Sequence, residues 1–301
     1  MQSFSRGWSF LTQAWQMAFK DKDLIKPSMY ALVVGFFVSI IGIVPIVGAY
    51  LLFGDSGFGQ VLTFVLGALM VFVNFVVTYV FSGMTAYLIF GYLSEGDGRM
   101  DKAWAIVKRD FFDLLTLAAA STAVNMLKSL AQRRNQRGGG NILASLARSA
   151  TGLLEVLWTE ASFLILPAMV IDDLNLKNGA RRVWEITKNN LLLIGISTVG
   201  VRAVTGLISF VLGVIGAAIG FGVGYGLIAV LGTGVAGLVI GIGLGAMIFF
   251  AFVLVASVIG SYTGIAYHTC LYIWARDAEK AQVAGQPIQV AAPAPLAAVL
   301  T

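Results

Sequence analysis

The 301-residue chain is 58% hydrophobic and only 12% charged, with a mean hydropathy of +0.87. Soluble domains lie near half apolar and a quarter charged, so this chain has too few polar groups to coat a water-soluble globule, and the bilayer must solvate much of its surface. The net charge of +5 sits in short segments beside apolar runs, which fits membrane orientation and lipid headgroups and argues against a nucleic-acid partner.

Residues 4–26 read as an interfacial helix, with Trp8, Leu11, Trp15 and Phe19 at helical spacing and Lys20, Lys22 and Lys26 at its wet end. They lack the layout of a cleaved signal peptide, so the first apolar run reads as an uncleaved anchor. Pro27 ends this helix, and Ser28–Phe53 is long enough to span. After a tight turn at 54–57, Gly59–Leu93 returns. At ~1.5 Å per residue this run overreaches a ~30 Å hydrocarbon core, so it is tilted, broken or projecting.

Two weaker apolar runs follow, Leu114–Leu127 and Val156–Ile171, separated by a basic loop over 128–148. Each is shorter than the ~17 residues usually needed to span. If both crossed fully, the basic loop would fall on the side opposite the other basic segments, at 1–27, 94–110, 172–190 and 275–280. Half-penetration or burial inside an assembly is therefore favoured. Leu191 to about Val214 spans, a glycine-rich stretch runs over 213–245, and Met247–Trp274 crosses back. The fold class expected is an all-α polytopic membrane protein with four full spans, two short segments and three amphipathic interfacial helices. Residues 1–275 form the membrane domain, and the Ala/Pro/Gln-rich residues 276–301 form a flexible tail whose last apolar residues could dock.

A motif recurs before the apolar runs: AWQMAFKDKDL at 14–24, AWAIVKRDFFDLL at 103–115 and VWEITKNNLLL at 183–193. Trp15, Trp104 and Trp184 would anchor at headgroup level, with Lys20, Lys108 and Lys188 reaching water about one turn on. Three similar units follow, 1–93, 94–171 and 172–275.

The opening SRGWSFLTQAWQMAFKDKDL and the middle GLLEVLWTEASFLILPAMVIDDLNLKNGARRVWEITKNN resemble an uncharacterised bacterial polytopic membrane-protein family, over about residues 3–215. More distantly, PAMVIDD followed by VWEITKNN is similar to membrane domains fused to glycerophosphodiester phosphodiesterases, which are not the catalytic part of those proteins. The resemblance implies a bacterial inner-membrane protein with no assigned activity.

Few residues can carry chemistry. Glu160 is an acid inside an apolar run and Arg202 the only base inside the later apolar region, so the two could pair as a clasp or mark an intramembrane path. Asn74 and Asn125 suit hydrogen bonds between helices. Asp172 and Asp173 could cap the helix that follows them. His268 and Cys270 do not close a metal site, Cys270 is the only cysteine so no internal disulfide forms, and His268 suits packing or a bond to a carbonyl. No metal, cofactor or nucleophile–base set is expected, so the protein reads as non-enzymatic.

Gly216, Gly220 and Gly224 form one small-residue row and Gly237, Gly241 and Gly245 another. Such rows pack helices closely, between copies or within one chain. The function that follows is a homo-oligomeric scaffold or pore-like assembly. Two alternatives stay open: a small-solute or lipid transporter using Glu160 and Arg202, and an accessory subunit of a larger membrane complex with another membrane protein as partner. The basic segments place both termini in the cytoplasm.

Overall fold

The computed structural model describes residues 2–54, 56–136, 142–188, 191–284 and 291–300. Among them there is no strand. The helices are α1 (Gln2–Lys20), α2 (Lys26–Phe53), α3 (Gly57–Glu95), α4 (Met100–Arg109), α5 (Phe111–Gln136), α6 (Ile142–Asp172), α7 (Leu176–Lys188), α8 (Leu191–Leu231), α9 (Val235–Val283) and α10 (Ala294–Leu300). Up to α9, the order is one amphipathic helix followed by two long ones, three times over. Four stretches are long and apolar enough to cross a membrane: Lys22–Phe53, Gly57–Glu95, Val201–Leu231 and Val235–Ala281. The protein is an all-α polytopic membrane protein.

Local chemistry sets the breaks. Pro27 stands in the first turn of α2, where a missing N–H costs nothing. Ser56 caps α3 by accepting from the Gly59 N–H at 2.9 Å. A side chain at Gly59 would lie 1.7 Å from the Phe53 carbonyl oxygen, so only glycine permits this hairpin turn. Gly96, at φ 79°, closes the other end of α3. Asp173 takes the left-handed conformation (φ 55°) past the end of α6, where the Leu174 N–H returns to the Met169 carbonyl at 3.2 Å. The cap of α7 is Asn175, whose Oδ1 accepts from the Asn178 N–H at 3.0 Å. The two aspartates expected in that role belong instead to the end of α6 and the turn after it.

Three expected boundaries shift. The glycine-rich stretch is not a separate region between spans: α8 and α9 run through it and turn only at 232–234, with Gly232 at φ 85°. The supposed loop over 128–148 is largely helix, since α5 continues to Gln136 and α6 begins at Ile142. The short apolar runs are thus the packed halves of longer helices. The tail is not wholly loose either. Helix α9 extends to Val283, and α10 packs on α1 with Leu296 fully buried.

The helices gather into two units. The first holds α1, α8, α9 as far as Tyr267, and α10. In it Phe10 meets Tyr267 edge-on at 5.5 Å, and the Tyr262 hydroxyl donates to the Ala14 carbonyl at 2.9 Å. The two glycine rows lie against each other here. A Cβ at Gly220 would sit 2.5 Å from the Gly245 oxygen, and one at Gly224 would sit 2.8 Å from the Gly241 oxygen. Of the two kinds of packing the rows allow, between copies or within one chain, these contacts are of the second kind. On these two helices the six row glycines are buried, while Phe221, Tyr225, Ile242 and Met247 around them are exposed.

The second unit holds α2 to α7 and α9 from His268 onward. Its core is the latter half of α3, the latter half of α6 and the end of α9, where Leu88, Ile89, Leu166, Met169, Leu271 and Tyr272 are buried. Buried faces of α4 and α7 lean on these. A Cβ at Gly83 of α3 would meet Val107 of α4 at 3.6 Å and Leu166 of α6 at 3.7 Å. One at Gly179 of α7 would meet Met169 of α6 at 3.3 Å.

Candidate functional site

The polar groups of the second unit collect along one face of α9. His268, Tyr272, Arg276 and Glu279 recur at intervals of four, four and three, which is one helical stripe. Each has a partner on a neighbouring element. His268 Nε2 lies 3.0 Å from Glu160 Oε2 on α6, and the Phe163 ring stacks on the imidazole at 5.2 Å and 22°. The histidine side chain is 6% exposed and the carboxylate 24%. The Tyr272 hydroxyl donates to Asp172 Oδ2. Arg276 Nη1 donates to Asp172 Oδ1 at 3.1 Å, its Nε donates to Asp277 at 3.2 Å, and its guanidinium stands over the Phe90 ring at 5.4 Å. Arg182 of α7 pairs with Glu279.

A second set of contacts extends the cluster to α4. Arg109 donates to both oxygens of Asp110, at 2.6 Å and 2.9 Å, and lies 3.2 Å from Asp173. The hydrogen bond to Asp110 holds the Arg109 guanidinium above its ordinary value. Asp110 itself is 4% exposed, so its charge is held by Arg109 rather than by water. Nearer the middle of α3, the Trp158 N–H donates to Ser121 Oγ at 2.9 Å, and the Tyr79 hydroxyl shares a hydrogen bond with the same oxygen at 2.7 Å.

The expected site residues fall in different places. Glu160 is in the second unit, with His268 as a partner. Arg202 lies on α8 in the first unit. Asn74 joins two helices as expected: the Ser39 hydroxyl of α2 donates to its Oδ1 at 3.3 Å, and its Nδ2 donates to the Met70 carbonyl at 3.0 Å. Trp104 and Trp184 are exposed, with Lys108 Nζ 5.4 Å from the Trp104 ring centre. Trp15 is turned differently. Its N–H donates to Thr263 Oγ1 at 3.2 Å and its ring meets Tyr262, while Trp8 and Phe19 take the outward positions on α1.

His268 is the residue that sequence reasoning undervalued. Its acid partner is 108 positions away, and no local pattern reports such a pairing. The four-residue spacing of His268, Tyr272 and Arg276 within an apolar helix was the available signal, because an isolated polar stripe there needs partners.

An acid and an imidazole in contact can hold one proton between them with no net charge, as carboxylate–imidazolium or as acid–imidazole. Among the described residues, no three His, Cys, Asp or Glu side chains gather to hold a metal ion. No family model matches the chain, and no curated protein matches it significantly.

Proposed function

We propose that the protein is a bacterial inner-membrane transport protein that moves protons, alone or with a small solute, through its second unit. The contact between Glu160 and His268 carries this reading. Ionisable residues inside membrane helices are expensive, face interior paths and commonly relay protons. The stripe continuing through Tyr272 and Arg276 to Asp172 offers a polar route toward the end of α9, where ion pairs can open and close. Cytoplasmic termini belong to the same proposal, from the basic short segments.

The homo-oligomeric scaffold is the second reading, since Gly220 and Gly224 of one row already have Gly245 and Gly241 of the other as neighbours within one chain. The test is proton flux. Protein reconstituted in vesicles loaded with a pH dye should dissipate an imposed proton gradient faster than empty vesicles do. Glu160→Gln and His268→Gln should each cut that flux roughly tenfold, a change of about 1.4 kcal/mol in barrier, without loss of folded protein. Flux absent from the native protein, or indifferent to both substitutions, defeats the proposal.

A further inference from the structure

Helix α7 turns one face into the second unit and the opposite face out. Gly179 and Val183 are buried, and a Cβ at Gly179 would touch Met169 and Ile165 of α6. Lys177, Arg181, Trp184 and Lys188 are all exposed, the tryptophan by 66%. Their intervals of four, three and four residues set them within about 60° of one another around the helix, in a single stripe roughly 16 Å long.

The acids around α7 are matched to other cations. Asp172 accepts from Arg276, Asp173 lies beside Arg109, and Glu279 pairs with Arg182 on the flank of α7. Asp113 of α5 and Lys177 line the same groove without an ion pair between them. Among the described residues, the stripe's cations meet one acid, Glu185, whose Oε1 is 4.0 Å from Arg181 Nε. The outward face therefore carries an excess of positive charge with a large apolar ring in its midst. Water solvates that ring badly, and hydrocarbon cannot solvate the cations. A headgroup layer does both: indole seats in it, and lysine and arginine reach its phosphates.

The two related helices supply the contrast. Helix α1 exposes Phe4, Trp8 and Phe19 with one exposed cation, Lys20. Helix α4 exposes Trp104 and Lys108 with Asp101 on the same face, and its Arg109 is taken by Asp110 and Asp173. Of the three, α7 has the face whose charge complements the negative potential of an anionic leaflet. We infer that α7 rests on anionic phospholipid at the bilayer surface, its cations against the phosphates and Trp184 seated between them. Cations spread along three turns suit a charged surface better than a single bound ion. The inference stands whether or not Glu160 carries protons.

Bromine quenching of Trp184 in the full chain tests it, read as the difference between the parent and Trp184→Phe. Two nanodiscs hold the same minor share of phosphatidylglycerol in phosphatidylcholine. One has its phosphatidylglycerol brominated and the other an equal amount of its phosphatidylcholine, so charge and bromine content are the same. Quenching should report roughly fivefold more bromine beside Trp184 in the first disc, the enrichment that one surface cation supplies. Replacing Lys177, Arg181 and Lys188 together by glutamine should bring the two discs to equality. Lys177→Arg with Lys188→Arg, which keeps the charge, should retain the excess. Equal quenching of the parent in the two discs overturns the inference, as does an excess that survives the glutamine variant or is lost in the arginine one. So does a Trp184 that neither lipid quenches, which would turn the stripe toward water or an acidic protein.

Discussion

At the scale of single residues, charge is managed by burial and pairing rather than by water. Asp110 is held by a bidentate contact from Arg109, which also reaches Asp173. Arg109→Met should leave a nearly buried carboxylate unpaired. Because Arg109 is 44% exposed, the expected cost is toned down to roughly 1–2 kcal/mol, read as a lower thermal midpoint in detergent. The control is Lys102→Met, which breaks the solvent-exposed pair with Glu95. Exposed pairs contribute ~0–1 kcal/mol, so that variant should melt close to the parent. Glu160 and His268 belong to the same scale but a different class, since their substitution is expected to change flux while leaving the fold in place.

At the scale of elements, the α8–α9 hairpin shows why glycine position matters more than glycine content. Hydrocarbon does not drive apolar helices together, so close backbone packing has to. Gly220→Val would put a Cβ 2.5 Å from a main-chain oxygen that has no rotamer to escape into. The helices must part, and a loss of roughly 1–3 kcal/mol is expected in thermal unfolding. Gly222→Ala, two residues on, meets nothing within 4 Å. It should be neutral, or stabilising by up to about 1 kcal/mol through better helix propensity. The amphipathic helices follow a matching logic. The residue before each motif tryptophan, Ala14, Ala103 and Val183, is buried against a long helix, which leaves the indoles of Trp104 and Trp184 outward.

At the scale of the whole molecule, the exposed surface of α2, α8 and α9 is apolar enough to require lipid, with Phe36, Leu52, Phe221 and Val239 all outward. The decisive quantity is the mass of the particle extracted in a native lipid patch, before and after Gly241→Leu. A Cβ at Gly241 would lie 2.7 Å from the Gly224 oxygen of the same chain. The substitution is therefore expected to lower the melting temperature while leaving the particle mass unchanged. A ring or cage that fell to single chains on this change would restore the oligomeric scaffold as the leading function.

Composition alone determined the solvent, and periodicity located the amphipathic helices and the turn after the first long run, because both are properties of neighbouring residues. Pro27, Ser56 and Gly96 mark boundaries for reasons that act within one helical turn. Tertiary structure decided everything that depends on which helix lies beside which. Glu160 acquired a partner 108 positions away, and the two glycine rows proved to face each other. Trp15 turned inward to Thr263 while its counterparts on α4 and α7 stayed outward. The physical reason is common to all three: an apolar helix looks alike from every side in sequence, and only its neighbours give its faces different roles.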